Sequence, residues 1–418
     1  MPDTRPLAGV VPLTTLDPDA PLDDLEPLRD IIGDARVVAI GESAHFVDEY
    51  NLARKRILRF LAERCGFTVF AYEFGFSEGL ALAPWIQGAG GDADLATISA
   101  TADTWGTGDL FRFIRRHNGT SHHPVRFVGI DVPEAGGSLL PALVPVIAYL
   151  RTVDADIVPL AESAAGIAER IAGGSGASAA PAWEKLGSAR QDELTAALAR
   201  LRLRFRALEP VYVSRSDQRG YDTALWQLES AVRTDYILRA GAALFAGAAL
   251  PADLSIRDLY MAESVQWYLA HAEAGTRVVL AAHNNHIQKH PVAFGGPVVS
   301  LPMGQHLHRM LGEDYFALAL TSTAEHTVEM YPDADAALGF TIGEARLGPP
   351  GQGSVEAAAL GAGIDLGLVD LRRARHDDRF RDLTHIRTQS ATMTMPVADA
   401  FDGVLITPTV TMQQGLGL

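Results

Sequence analysis

Short apolar runs alternate with helical repeats along this chain. Four runs are apolar almost throughout and rich in β-branched residues, and they cover residues 36–40, 67–72, 125–130 and 277–282. Such runs are typical of parallel strands that are covered on both faces of a sheet. Between the first two runs, the apolar residues of Asp48–Arg64 recur at helical spacing, and Gly66 marks the end of that predicted helix. The pattern therefore predicts alternating strands and helices.

Each of the four predicted strands leads into side chains that can carry chemistry. These are Glu42 and His45 after the first strand, Glu73 after the second, Asp131 after the third, and His283 and His286 after the fourth. In open α/β sheets the ligand crevice lies just beyond the carboxyl ends of the strands. We therefore expect these side chains to meet in one pocket. The alternative is that the acidic residues serve only as turn or capping residues.

The pattern changes in the middle of the chain, where helical repeats replace the strands. The clearest helices are predicted at Ala142–Arg151, Asp192–Leu208, Tyr221–Ala243 and Ile256–Ala272, with a loop at residues 173–182. Strands return near residue 276, and two more are predicted at Tyr315–Leu320 and Phe401–Ile406.

We therefore predict an α/β fold with a mainly parallel central sheet, flanked by helices and carrying a large helical insertion. Residues 1–138 would form a first α/β half, residues 139–272 the insertion, and residues 273–418 a second α/β half with the C-terminal region. We expect the two halves to close over one site.

Composition narrows the range of partners. The 418 residues include 35 Lys and Arg against 51 Asp and Glu, a formal net charge of −16. This charge disfavours nucleic acid and anionic membranes as partners, because both require a basic surface. The sequence contains no apolar stretch long enough to span a membrane, and Met1–Ala20 does not resemble a secretory signal. Cys65 is the only cysteine and is interpreted as a packing residue, so we expect a cytoplasmic protein without an internal disulfide.

Glu42 and His45 are the residue types of a general base, in which a carboxylate activates an imidazole. Residues three apart can face the same way, and a carboxylate beside an imidazole raises its basicity and selects its tautomer. The alternative is a capping pair at a helix N-terminus. Arg54 lies further along the next predicted helix, where it could reach a carboxylate or a substrate oxygen. The alternative for Arg54 is a solvated helix face, since Lys55 and Arg56 follow it.

Glu73 ends a strand that reads as buried, so it requires a partner, and Arg54 or a histidine is the obvious candidate. His283 and His286 have a spacing that also suits zinc or iron, although no HExxH motif or Cys–His cluster supports a metal. The sequence contains no Gly-x-Ser-x-Gly motif, so we favour water over serine as the nucleophile. Asp131 is interpreted as structural.

These motifs together resemble the erythromycin esterase family, and most of all the type II macrolide esterases. The first signature is Gly41–Phe46 with Arg54 and Phe67–Phe76, and the second is His283–Lys289. Further similar segments follow the same order along the chain: Val128–Pro133, Arg257–Trp267, Leu301–Gln305, Gly312–Tyr315 and Ala400–Gly403.

The resemblance implies that the protein opens the macrolactone ester of 14-membered macrolides such as erythromycin, with a histidine that activates water. It implies that His45 is the general base and that the other active-site residues support it, with His286 the least essential. This supporting set is Glu42, Arg54, Glu73, His283 and His286. It also implies a cleft between the α/β part and the helices, and no metal or cofactor. Asn285, where an alanine is usual, bears on substrate specificity.

Two other functions are compatible with the sequence. The protein could act on another natural product, as an esterase or by base-catalysed elimination or cyclisation. It could instead be a non-catalytic binding protein for haem or metal.

Overall fold

The computed structural model describes residues 9–99, 102–245, 247–248, 250, 252–253, 255–293 and 299–416. The strands in chain order are β1 (Val10–Pro12), β2 (Val37–Ile40), β3 (Val69–Gly75), β4 (Arg126–Asp131), β5 (Val278–Ala281), β6 (Val292–Ala293), β7 (Val299–Ser300), β8 (Tyr315–Ser322), β9 (His326–Pro332), β10 (Phe340–Arg346), β11 (Gly367–Asp370), β12 (His385–Thr388), β13 (Ala391–Thr394) and β14 (Gly403–Thr407).

The helices in chain order are α1 (Glu26–Ile32), α2 (Asp48–Cys65), α3 (Phe76–Ile86), α4 (Leu95–Ile98), α5 (Gly108–Thr120), α6 (Leu140–Val153), α7 (Val158–Ala168), α8 (Gly176–Leu186), α9 (Ser188–Ala207), α10 (Glu209–Arg215), α11 (Gln218–Phe245), α12 (Ser255–Ala270), α13 (Asn284–Ile287), α14 (Met303–Leu311), α15 (Val355–Gly361), α16 (Leu371–Ala374) and α17 (Val397–Ala400). Among the described helices, none is long and apolar enough to cross a membrane.

Eight strands form the central sheet in the order β1-β11-β14-β8-β2-β5-β3-β4. The run from β14 to β4 is parallel, whereas β11 is antiparallel to both of its neighbours. Strand β5 comes from the last third of the chain but lies between β2 and β3. The loops after β2 and β5 therefore leave the same edge of the sheet side by side, next to the end of β3.

The parallel strands form here because both of their faces are covered. All four residues of β2 are fully buried, and they point alternately to two apolar layers. Val38 and Ile40 pack in the layer that contains Leu61 of α2. Val37 and Ala39 pack in the layer that contains Met261 of α12. The predicted α/β fold with a mainly parallel sheet is confirmed.

Helices α6–α11 pack around a separate apolar core in the middle of the chain. Helix α12 follows them and packs on the central sheet. The four helices predicted there are confirmed. The loop predicted at residues 173–182 is wrong, because α8 already begins at Gly176. The hydroxyl of Ser175 accepts a hydrogen bond from the N–H of Ser178 at 3.1 Å, and this cap starts an alanine-rich helix. The division into segments 1–138, 139–272 and 273–418 stays a prediction.

Candidate active site

A cavity of about 440 Å³ lies at the carboxyl ends of β2, β5 and β3. All six residues predicted for the site line it: Glu42, His45, Arg54, Glu73, His283 and His286. This volume falls in the range of small-molecule sites. Asp131 ends β4 as predicted, and its carboxylate binds Arg257, which lines the cavity.

Glu42, His45 and Arg54 form one ion-paired group. Glu42 Oε1 lies 2.8 Å from Nδ1 of His45, and Oε2 lies 3.0 Å from an Nη atom of Arg54. The side chains of Arg54 and Glu42 are 1% and 8% exposed, whereas that of His45 is 27% exposed. The imidazole of His45 is therefore the member of the group that a ligand can reach.

Two glycines shape this part of the fold. Gly66 ends α2 in the left-handed conformation at φ +74°, as predicted from its position in the sequence. Gly41 follows β2, and a Cβ atom there would lie 1.9 Å from Oδ1 of Asn284. Asn284 follows β5 and binds β8 through both the carbonyl and the N–H of Leu320. The absence of a side chain at Gly41 thus lets the loops after β2 and β5 approach each other.

Charge pairing determines the ionisation of this group. Burial raises the pKa of Glu42, but Arg54 and His45 outweigh burial and lower it to about 2. Burial lowers the pKa of His45, but the carboxylate of Glu42 outweighs burial and raises it above the ordinary value. Glu42 is therefore a carboxylate at neutral pH and holds the proton on Nδ1 of His45.

Glu73 lies within β3, which continues to Gly75 rather than ending at Glu73 as predicted. Its Oε2 accepts the backbone N–H of His283 at 2.8 Å, and its Oε1 lies 3.3 Å from Nε2 of His286. The predicted histidine partner is confirmed. Arg54 as partner is wrong, because Arg54 pairs with Glu42, and the guanidinium that binds Glu73 belongs to Arg257 at 2.9 Å.

A chain of charges extends from Glu73 into α12. Arg257 binds Asp131 through two nitrogens, at 2.6 and 3.0 Å, and His286 Nδ1 lies 2.7 Å from Oδ1 of Asp258. Burial lowers the pKa of His286, but Asp258 and Glu73 outweigh burial and raise it to about 10. His286 is therefore cationic at neutral pH. Burial raises the pKa of Glu73, but His286 and Arg257 hold it well below the ordinary value.

His283 has the opposite electrostatics. Its ring lies 4.9 Å from that of His45, centroid to centroid. Burial and the neighbouring His45 lower the pKa of His283 to about 3, so the ring is neutral. Its Nδ1 accepts the N–H of Asn285 at 3.1 Å, which leaves the proton on Nε2. Nε2 is buried and has no hydrogen-bond partner among the described residues. Its N–H group is therefore free to donate a hydrogen bond to a ligand.

Several cavity residues were missed by sequence reasoning. Arg257 lies in a segment recognised by its resemblance, but its role was not assigned. Glu78 lies in the first turn of α3. Its Oε1 accepts the N–H of Glu134 at 2.6 Å, while Oε2 is buried without a partner among the described residues. Burial, together with the charge of Glu134, raises the pKa of Glu78 to about 8. Gln389 was also missed, because it follows a strand that the sequence pattern did not predict.

The structure also decides two alternatives left open by the sequence, one for the Glu42–His45 pair and one for the segment from Arg54 to Arg56. Glu42 and His45 are not a capping pair, because α2 begins after Val47 without a side-chain cap. The solvated face proposed for Arg54, Lys55 and Arg56 is wrong, since all three are buried. The last two pair with acidic residues of neighbouring segments. Across the described residues, no three His, Cys, Asp or Glu side chains are arranged to hold a metal ion.

Comparisons with known proteins find similar sequences over most of the chain. The sequence profile of the erythromycin esterase family matches residues 62–410. Erythromycin esterase type II of Escherichia coli is 36% identical over 398 residues, which cover 94% of each chain. Erythromycin esterase type I of Escherichia coli is 30% identical over 386 residues, which cover 91% of this chain and 92% of that protein.

Solved structures are similar as well. A mutant of erythromycin esterase EreC in its open conformation superposes with a TM-score of 0.89 at 28% identity, covering 96% of this chain and 98% of that one. A crystal structure of a Bacillus cereus protein, with a TM-score of 0.74 at 20% identity over 97% of this chain and 96% of that one, shows the fold alone. The resemblance found in the sequence is confirmed: the chain belongs to the erythromycin esterase family and is a carboxylic ester hydrolase.

Proposed function

We propose that this protein hydrolyses the macrolactone ester of 14-membered macrolides such as erythromycin, with His45 as general base. The observation that carries the proposal is the bond between Nδ1 of His45 and Glu42, at 2.8 Å, in the wall of a cavity that also holds the unpartnered Nε2–H of His283. Because Nδ1 is engaged by Glu42, Nε2 of His45 is the nitrogen available to a water molecule.

The reaction follows from these two imidazoles. Neutral His45 takes a proton from water at Nε2, and the water oxygen attacks the ester carbon. Glu42 stabilises the imidazolium that forms. His283 donates its Nε2–H to the oxyanion of the tetrahedral intermediate. The intermediate then breaks the bond to the ring alcohol, which receives the proton from His45. The product carries one added water, as a carboxylic acid and a free hydroxyl.

The charged group around Glu73 acts through position rather than contact with the ester. Glu73 binds the backbone N–H of His283 and is itself held by Arg257 and His286. This arrangement orients the turn after β5, which carries His283. A displacement of this turn would move the oxyanion donor, and donors act only within hydrogen-bond distance of the developing charge.

Glu78 supports a substrate with a basic amine. Its Oε2 is buried without a hydrogen-bond partner among the described residues, in the same cavity as His45. Because the pKa of Glu78 is raised to about 8, its carboxyl group is mostly protonated at neutral pH. A protonated aminosugar would favour the carboxylate form and complete its hydrogen bonding. We expect Glu78→Gln to raise KM for a macrolide with the amine and to leave KM unchanged for the analogue without it. An equal change for both substrates would contradict the contact.

The function is tested by incubating the purified protein with macrolides of 14- and 16-membered rings, with and without a chelator. We expect erythromycin to gain the mass of one water, independently of the chelator, and the His45→Asn variant to leave it intact. Intact erythromycin together with turnover of another ester would show that the same residues serve another substrate. Loss of activity with the chelator would contradict a reaction carried by the protein side chains alone.

A further inference from the structure

The tip of one hairpin reaches the active site from outside the central sheet. Strands β12 and β13 pair from His385 to Thr394, and Gln389 and Ser390 form the turn between them. Thr388 donates its hydroxyl proton to Oδ1 of Asn285 at 3.4 Å, next to His283. Gln389 donates its backbone N–H to the carbonyl of Ser43 at 2.6 Å. The hairpin tip therefore contacts both loops that carry the central imidazoles.

The side chain of Gln389 adds a second contact to the loop after β2. Its Oε1 accepts the backbone N–H of His45 at 3.2 Å. This bond identifies the two ends of the amide, because only the oxygen can accept. The other end, Nε2, is therefore an NH₂ donor. It is buried, has no hydrogen-bond partner among the described residues, and belongs to a residue that lines the cavity with His45 and His283.

The backbone of Gln389 is strained. Its φ of +48° lies in the left-handed region, where hairpin turns favour glycine or asparagine. A residue with a longer side chain in this conformation indicates that its side chain contributes something that glycine cannot. The contact with His45 accounts for the oxygen of the side-chain amide of Gln389. The two N–H bonds of that amide have no acceptor among the described residues.

We propose that Gln389 is a catalytic hydrogen-bond donor, whose Nε2–H binds the oxyanion formed at the ester carbon together with the Nε2–H of His283. This inference rests on the proposed esterase function and adds a second donor to it. No bond is made or broken at Gln389, and no proton is transferred there. The alternative is that Gln389 only holds the backbone of the His45 loop.

Two variants separate these roles. Gln389→Gly relieves the strained φ and keeps the backbone N–H to Ser43, so it removes the amide without damage to the turn. Gln389→Glu keeps an oxygen for the N–H of His45 but removes the donor. The matched control is Ser390→Ala in the same turn, where the side chain is exposed. Each variant is measured for Tm and for kcat and KM over a range of pH.

We expect both Gln389 variants to lose roughly 10²-fold in kcat, the usual effect of removing one oxyanion donor, with KM and Tm close to those of the wild type. Ser390→Ala should behave as the wild type. Wild-type kcat in Gln389→Gly would overturn the proposal. So would near-wild-type activity in Gln389→Glu alone, which would assign the effect to the His45 backbone contact.

The pH profile distinguishes the loss of the hydrogen-bond donor from a change in the pKa of His45. The new carboxylate of Gln389→Glu also raises the pKa of His45, and an effect through that ionisation disappears at high pH. A loss that disappears at high pH would therefore count against the donor role. The proposed function fails by a different result, namely wild-type protein that leaves erythromycin intact. In that case the same variants are compared on whichever ester the wild type hydrolyses.

Discussion

Replacing Glu42 by glutamine tests the electrostatic basis of the site, because it removes one charge and keeps the shape of the side chain. Glu42 carries two interactions, one to Nδ1 of His45 and one to the buried guanidinium of Arg54. The variant therefore has two separate consequences, one for folding stability and one for the pH dependence of catalysis.

The effect on stability follows from the lowered pKa of Glu42. Arg54 and His45 outweigh the cost of burial and lower that pKa from 4.5 to about 2. A difference of this size corresponds to about 3 kcal/mol in favour of the folded state. Because the folded pKa is depressed, this stabilisation is present above pH 4.5 and is lost as the pH falls towards 2. Near pH 7 the Glu42→Gln variant lacks this stabilisation, and the buried guanidinium of Arg54 also loses its carboxylate partner.

Thermal unfolding measures this loss. For a chain of this length, about 3 kcal/mol corresponds to a decrease in Tm of roughly 3–4 °C if unfolding is cooperative. We expect the difference in Tm between wild type and Glu42→Gln to be largest near pH 7 and to shrink below pH 4.5. The matched control is Glu344→Gln, which replaces an exposed carboxylate in β10 and should leave Tm unchanged.

The effect on catalysis follows from the raised pKa of His45. The carboxylate of Glu42 is the interaction that raises it. In the variant the acid limb of kcat/KM should move to lower pH, because the imidazole loses its proton more easily. The maximal rate should fall by at least about 10²-fold, since a neutral amide neither stabilises the imidazolium nor selects the tautomer. An acid limb at the wild-type pH, together with an unchanged Tm near pH 7, would refute the reasoning.

Three further substitutions test other parts of the site. His45→Asn should abolish turnover with a Tm close to wild type, since its side chain is 27% exposed; residual turnover near the wild-type rate would exclude His45 as base. Glu73→Gln should reduce kcat strongly as well as Tm, because it releases the turn that carries His283; a change in Tm alone would make Glu73 purely structural. His286→Gln should lower Tm most below pH 6.5, because Asp258 and Glu73 raise the pKa of His286 to about 10 and its charged form stabilises the fold. That difference should vanish as the pH rises through 10, and a difference independent of pH would contradict the ion pairs.

Sequence reasoning predicted the strands that build the centre of the sheet and that six polar side chains would meet in one cavity. It succeeded there because a parallel strand buried on both faces is an uninterrupted apolar run, and because the chemistry follows directly after each run. It missed β9, β10, β12 and β13, which are half exposed and mix polar with apolar residues. The formation of such hairpins depends on packing against neighbouring segments more than on their own pattern of polar and apolar residues. For this reason Gln389 was not found.

The sequence by itself determined the local features of this protein: the buried strands, the glycine that ends α2, and the pairing of Glu42 with His45 three residues away. Each depends on a few neighbouring residues and on spacing that a helix, strand or loop imposes. Only the tertiary structure decided that Arg257 binds Glu73 across 184 positions and that Gln389 binds His45 across 344. These contacts follow from the insertion of β5 between β2 and β3 and from the docking of one hairpin. Both contacts depend on how distant segments pack against each other, and a local sequence pattern carries no information about that packing.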